Sequence, residues 1–240
     1  MIAALGRIRL IIRQINILIW HYPHLVIDSD YDAYWHDKRG RNMGQISAFQ
    51  KQRADWLLPR IEPGSSVLDI GCGDGAVLLY LQKHLSFQPI AADISDYALN
   101  FLRSKGITTI KFDANVIDDI QKLPEIDYLI LFEVLEHMPD PEQFLKTIEP
   151  KLRKAIFFSF PNTGYFPYRL RLLFGSFVMQ WRLHPGEHLR FWTYRDLKWW
   201  LKELGYWERS TIHVYEGIPG LNRLWGSLFG MAFVGEIKCE

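Results

Sequence analysis

Val67-Leu68-Asp69-Ile70-Gly71-Cys72-Gly73-Asp74-Gly75 reads as a short apolar run that enters a turn with glycine at every second place. A run of this length closed by glycines forms a buried strand, and the bare turn lets something approach the backbone closely. Downstream, short apolar runs alternate with helical segments. Strands are predicted at 66–70, 88–93, 108–112, 126–132, 154–160, 207–215 and 230–238, and helices at about 75–84, 95–104 and 141–150. Such alternation builds βαβ units with right-handed crossovers, so the expected fold class is α/β: a doubly wound, mostly parallel, seven-stranded sheet. Local chemistry supports the boundaries. Ser95 can cap a helix that Gly106 ends, and Asp140-Pro141-Glu142-Gln143 offers a cap, a first-turn proline and a capping-box glutamine. Thr193-Tyr194-Arg195-Asp196 opens a helix whose Leu197, Trp200, Leu201 and Leu204 form a stripe ended by Gly205.

With 240 residues the chain suits one domain with decorations. We divide it into an N-terminal helical extension, 1–60, and the α/β domain, 61–240. Basic residues number 28 and acidic ones 27, so no global field draws in a polyanion and no nucleic-acid partner is expected. Cys72 and Cys239 have neither metal-ligand nor redox spacing, which fits a reducing, cytoplasmic setting. Residues 2–20 place Ile2, Leu5, Ile8, Ile12, Ile15 and Ile19 on one helical face, with Leu10 and Ile17 opposite. Arg7, Arg9 and Arg13 interrupt this stretch, arguing against a signal peptide and a membrane span. The domain could bury such a helix, as could a partner subunit or a second copy. It could also lie at the inner membrane with its arginines toward lipid phosphates. Residues 21–41 read as a loop and 43–58 as a second helix.

In an open parallel sheet the ligand sits beyond the carboxyl ends of the strands, where strand order reverses. The G-x-G-x-G spacing of Gly71, Gly73 and Gly75 departs from the dinucleotide pattern G-x-G-x-x-G. Asp93 ends the second strand, placed to accept hydrogen bonds from ribose hydroxyls. Asp113, in "KFDAN", ends the third, where it or the backbone beside it can meet an adenine amino group. Asp69 would repel a pyrophosphate but suits a ligand carrying an ammonium and a sulfonium. One such aspartate alone is most simply a cap or turn residue. Together the three describe S-adenosylmethionine better than a dinucleotide, and a nicotinamide-dependent oxidoreductase is the weaker alternative.

These stretches resemble the class I S-adenosylmethionine-dependent methyltransferases. "VLDIGCGDG" is similar to their first motif, "AADIS" to the second, "FDA" to the third and "DYLILFEVLEHMPDPEQFL" to the fourth-strand motif. The segments "FFSFPNTGYFPYRLRLLFGS" and "HLRFWTYRDLKWWLKELGY" also resemble the methionine-biosynthesis W protein family, whose members are linked to homoserine acyl transfer. The class I resemblance implies methyl transfer to a small-molecule or lipid-like acceptor. The narrower one implies, as the alternative, a cofactor-binding regulatory partner of a biosynthetic enzyme. Carried over, the first implies that Asp69, Gly71, Cys72, Gly73, Asp93 and Ile94 hold the methionine and ribose parts, and that Asp113, Ala114 and Phe132 lie at the base.

Methyl transfer needs an aligned acceptor, and a base only when the acceptor carries a proton that must leave. His137 is the best base candidate, with Glu133 four residues earlier and His188, in "PGEHLRFW", as companions. "EVLEH" also resembles a metal-binding motif of ubiquinone-pathway O-methyltransferases, which would gather Glu133, Glu136 and His137, but no metal is assigned. The insertion 161–190, with Arg169, Arg171 and Arg182 among large apolar residues, is either a short helix on the sheet edge or a lid or membrane-facing patch. Tyr31, Tyr34 and Trp35 could cover the cofactor.

Overall fold

The computed structural model describes residues 12–13, 15–22, 30–121, 123–180 and 187–240. Ile2, Leu5, Ile8 and Leu10 of the first predicted helix, and Arg182 of the insertion, lie outside them. Seven strands form one sheet: β1 (Ser66–Ile70), β2 (Gln88–Asp93), β3 (Thr108–Lys111), β4 (Ile126–Phe132), β5 (Leu152–Pro161), β6 (Ser210–Tyr215) and β7 (Ala232–Lys238). Their order is β3-β2-β1-β4-β5-β7-β6. β1 to β5 pair in parallel, and β7 runs antiparallel between β5 and β6. The order reverses between β1 and β4, so the glycine turn after β1 stands at the switch point.

Both faces of the sheet are covered, which is why its central strands read as nearly unbroken apolar runs. Leu68, Ile70, Leu129 and Leu131 point into one core with Phe144, Leu197 and Trp200. Val67, Tyr128, Ile130 and Phe132 point into the other with Leu57, Leu78 and Leu102. Each such side chain, once buried, stabilises the fold by about 1.5–3 kcal/mol.

The helices relevant to the site are α1 (Tyr31–Arg39), α2 (Ala48–Leu57), α3 (Ala76–Gln82), α4 (Asp96–Ser104), α5 (Ile117–Gln121), α6 (Pro141–Ile148), α7 (Phe166–Leu173) and α8 (Tyr194–Glu203). The caps behave largely as their chemistry dictates. Ser95 accepts from Ala98 N, and Thr193 and Asp196 close a capping box. Asp140 accepts from Gln143 N, yet the Gln143 amide turns to Thr147 and leaves that box open.

Three expectations need correction. Residues 31–39 form helix α1 rather than loop, because Asp30 caps the amides of Asp32 and Ala33 while Lys38 and Arg39 sit at the negative end of the helix. The second helix begins at Ala48, where Ser47 and Gln50 form a capping box, and not at 43. Residues 207–209 make a 3₁₀ turn before β6. In the insertion, residues 166–173 form the short helix α7. At the N-terminus, residues 15–20 are helical, with Ile19 buried and Ile17 exposed as the periodicity predicts, but Ile12 is exposed too.

Candidate functional site

All three glycines after β1 adopt positive φ, at 68°, 53° and 64° for Gly71, Gly73 and Gly75, which is why the turn excludes other residues. At Gly73 the missing side chain has a second reason: a Cβ there would lie 2.2 Å from the Trp35 ring of α1. The aromatic cover therefore packs directly on the turn. Asp74 secures the arrangement. One oxygen accepts from Ala76 N at the start of α3, and the other accepts from Gly44 N and pairs with Arg39 Nε, both at 3.0 Å.

Beyond the strand ends lies a cavity of about 580 Å³, within the range of small-ligand sites. Asp69, Gly71, Cys72, Asp93, Ile94, Asp113, Ala114 and Phe132 all line it. Gly73 does not, since Trp35 covers it. Its amide instead donates to Asp93 Oδ2 at 2.8 Å, while Asp93 Oδ1 accepts from Ser95 N at 2.9 Å. Asp93 is thereby aimed before any ligand arrives, and its remaining lone pairs are available to ribose hydroxyls. Burial raises its pKa, and the amides of Ser95, Gly73 and Ile94 oppose the rise. Asp69 is more extreme: burial pushes its carboxyl up to about 8, against the lowering effect of Arg53, and the nearby Asp93 raises it further. Among the described residues it makes no hydrogen bond. A buried carboxyl facing a cavity without a donor suits a cationic ligand. Asp113 accepts from Asn115 N at 2.9 Å, the ordinary turn contact, and presents its free edge to the cavity. Burial raises the Cys72 thiol well above its usual range, so the residue is a filler in the turn and not a nucleophile.

The opposite end of the same cavity is lined by Glu133, Val134, His137, Met138, Glu187 and His188. The rings of His137 and His188 stand edge to face with centroids 4.6 Å apart. His137 Nδ1 meets the carbonyl oxygen of Glu187, so this nitrogen carries the proton and Nε2 is left as an acceptor. The Glu136 carbonyl accepts from Leu189 N and Arg190 N at 2.8 and 3.1 Å, which fastens the 187–190 segment over the end of β4. Burial lowers the pKa of His137, and pushes that of His188 down to about 3 with His137 adding to the effect. Both imidazoles are neutral near pH 7.

Glu133 and His137 share no helix. Glu133 follows β4 with φ of 58°, and a 3₁₀ turn carries Leu135–His137. Its carboxylate accepts from Ser159 Oγ at 2.8 Å and pairs with Arg53 Nη1 at 3.2 Å. Arg53, from α2, is a wall residue that sequence reading missed. It is buried, also donates to Ser159, and lies over the rings of Phe49 and Phe132. A helical arginine ordinarily reads as solvated, and only the long-range contact to β5 reveals this one.

Glu136 is fully buried, both carboxylate oxygens lack partners among the described residues, and burial together with the Glu133 charge pushes its pKa well up. Ligand atoms of Glu136, His137 and His188 lie within 4.8 Å of one another, a set able to hold a divalent cation. Glu133 is not among them.

A family model described as a methyltransferase domain matches residues 34–207. Among curated proteins, the ubiquinone biosynthesis O-methyltransferase of Xanthomonas oryzae is 26% identical over 198 residues, covering 78% of each chain. That of Coxiella burnetii is 26% identical over 167 residues, covering 67% of this chain and 70% of its own. Among solved structures, an S-adenosylmethionine-dependent methyltransferase from Archaeoglobus fulgidus superimposes with a TM-score of 0.62 at 21% identity, covering 87% of this chain and 100% of the other. The magnesium protoporphyrin IX methyltransferase of Synechocystis, with S-adenosylhomocysteine bound, gives 0.54 at 16% identity, covering 98% and 95%. These structural likenesses establish a shared fold.

Proposed function

The chain belongs to the family of methyltransferase domains, and on that premise we propose that it methylates an oxygen of a small or lipid-like acceptor, with S-adenosylmethionine as donor and His137 as general base. The observation that supports this most is that one cavity joins Asp69, Asp93 and Asp113, on or just past β1, β2 and β3, to the two neutral imidazoles that meet beyond the end of β4. The choice of oxygen draws on the relatives named as O-methyltransferases. Those relatives are named as enzymes, so the regulatory-partner alternative gains no support from them. Nor do they bear on the methionine-biosynthesis W resemblance, which we leave at the level of the wider class.

In this reading Asp69 faces the ammonium, Asp93 the ribose hydroxyls, and Asp113 with Ala114 the adenine edge. When bound, S-adenosylmethionine supplies a methyl group on a good sulfonium leaving group, so the protein's part is alignment, exclusion of water and removal of one proton. Trp35, Tyr31 and Tyr34 close the cofactor end, which gives the 1–60 extension its role as a cover. The His137 Nδ1–H contact to Glu187 holds the ring with Nε2 free to accept the acceptor's hydroxyl proton. Arg53 and Glu133 form the wall between the two ends.

The test is methyl transfer from labelled S-adenosylmethionine to matched phenol, catechol and amine acceptors. Transfer to hydroxyl acceptors, reduced about 10²–10⁴-fold by His137→Asn, supports the reading. Transfer to amines alone, or an unaffected variant, contradicts it.

A further inference from the structure

Three segments meet away from the sheet around a small apolar cluster of Tyr165, Tyr168 and Val178, with Leu18, Phe191, Ile218 and Met231 packed against it. They are the N-terminal helical stretch, 15–20, helix α7 with the residues after it, and the 218–231 connection. One buried cation assembles the first two. Arg171 is fully buried on α7, and its guanidinium donates to the carbonyls of Ile19, His21 and Phe177 at 2.8, 3.2 and 2.6 Å. The Tyr22 hydroxyl adds a bond to Ser176, and the Trp20 ring lies 5.0 Å from that of Phe174.

The outer surface of this assembly is apolar and aromatic. Leu173, Phe177 and Trp20 expose 76%, 60% and 59% of their surfaces, and Tyr22, Phe174 and Ile12 are likewise exposed. The 218–231 connection contributes Leu224 and Trp225 and joins α7 through the Phe166–Phe229 ring contact. Scattered exposed apolar residues need no explanation, but a contiguous set of this size does. Its charge is equally one-sided. Residues 12–22, 164–180 and 218–231 contain no Asp or Glu, their arginines Arg13, Arg169 and Arg223 are exposed while Arg171 is buried, and the first acid in the chain is Asp28. This occurs in a protein whose net charge is only +1.

We propose that this face docks onto an anionic lipid surface. Apolar and aromatic side chains enter the boundary between headgroups and acyl chains, and the exposed Arg13, Arg169 and Arg223 meet the phosphates. A protein partner would more commonly be met by a rim of mixed charges. The face also adjoins the acceptor end of the cavity: Phe177 packs on Phe191, Phe191 stands beside His188, and Gln180, three residues after Phe177, lines the cavity. A greasy acceptor could thus reach His188 from the bilayer, a consequence that rests on the methyl-transfer reading. The docking itself does not.

Co-sedimentation of the whole protein with phosphatidylglycerol-containing vesicles and with pure phosphatidylcholine vesicles tests it, with S-adenosylhomocysteine calorimetry run in parallel. Binding to the anionic vesicles should weaken with added salt. It should fall about fivefold for each of Arg13→Glu and Arg223→Glu, and be abolished in the Trp20→Ser/Phe174→Ser double variant. Nucleoside affinity should be unchanged in all three. Absent binding, equal binding to both vesicle types, or binding indifferent to these variants overturns the proposal. So does a dimer in light scattering that the double variant dissolves, because a second copy is then the occupant. Vesicle binding without nucleoside binding would overturn the methyl-transfer reading and leave the docking face standing.

Discussion

Buried Asp69 carries a structural cost and, in the proposed reading, a binding role as well, and pH separates the two. Its carboxyl titrates near 8 in the fold and near about 4 in the unfolded chain. The folded state therefore holds the proton more tightly, and the stability this group contributes is full below about pH 4 and is lost as pH rises toward 8. Asp69→Asn should accordingly raise the melting temperature at pH 8–9 relative to wild type, with a much smaller difference at pH 4. The same variant should bind S-adenosylhomocysteine about 10–100-fold more weakly, the value of a charge-assisted contact. Below pH 8, pairing Asp69 with an ammonium requires its ionisation, so binding should release a proton. Calorimetry in buffers of different ionisation enthalpy would detect that release. At the other end of the cavity, Glu136, His137 and His188 could hold a cation, whereas the account gives His137 a base's role. Dialysis against a chelator should then leave the methyl-transfer rate unchanged, and loss restored by a divalent ion would reassign His137 as a ligand.

Between α1, α2 and the glycine turn, the site depends on contacts that cross the chain. Gly73→Ala should cost about 1–3 kcal/mol in denaturant unfolding, since it combines positive φ with a Cβ inside the Trp35 ring. Arg53→Met takes the cation from the partly buried Glu133, which keeps only the Ser159 hydroxyl among the described residues, and should cost about 1–3 kcal/mol in denaturant unfolding. Sequence legibility divides along the same line. Strands, crossover helices and the acids on or just past β1, β2 and β3 were readable because each rests on local periodicity or on a position near a strand's end. Helix α1 was not, because its short cap, Asp30, is followed by no regular apolar stripe. The environments of Arg53 and Glu133 were also hidden, since they are made by Ser159 on β5, over a hundred residues from Arg53. The pairing of His137 with His188 follows from the 187–190 segment folding back over β4, which no local pattern encodes.

Over the whole molecule, two groups buried at opposite ends of one cavity limit stability from opposite sides of the pH scale. His188 titrates near 3 in the fold and near about 6.5 unfolded, so its contribution is present above pH 6.5 and is lost as pH falls toward 3. His188→Leu should lose less of its melting temperature between pH 6.5 and 4 than wild type does. With Asp69 limiting the alkaline side, the molecule spends stability at both ends of the cavity, where a ligand can recover it. In the proposed reading this cavity takes an S-adenosylmethionine-type nucleoside through the acids of the sheet. Titration calorimetry of S-adenosylhomocysteine into wild type and Asp93→Ala tests it most directly. One site of micromolar affinity is expected in the wild type, weakened about tenfold or more in the variant. No binding by the wild type, or equal affinity for the two proteins, would contradict it.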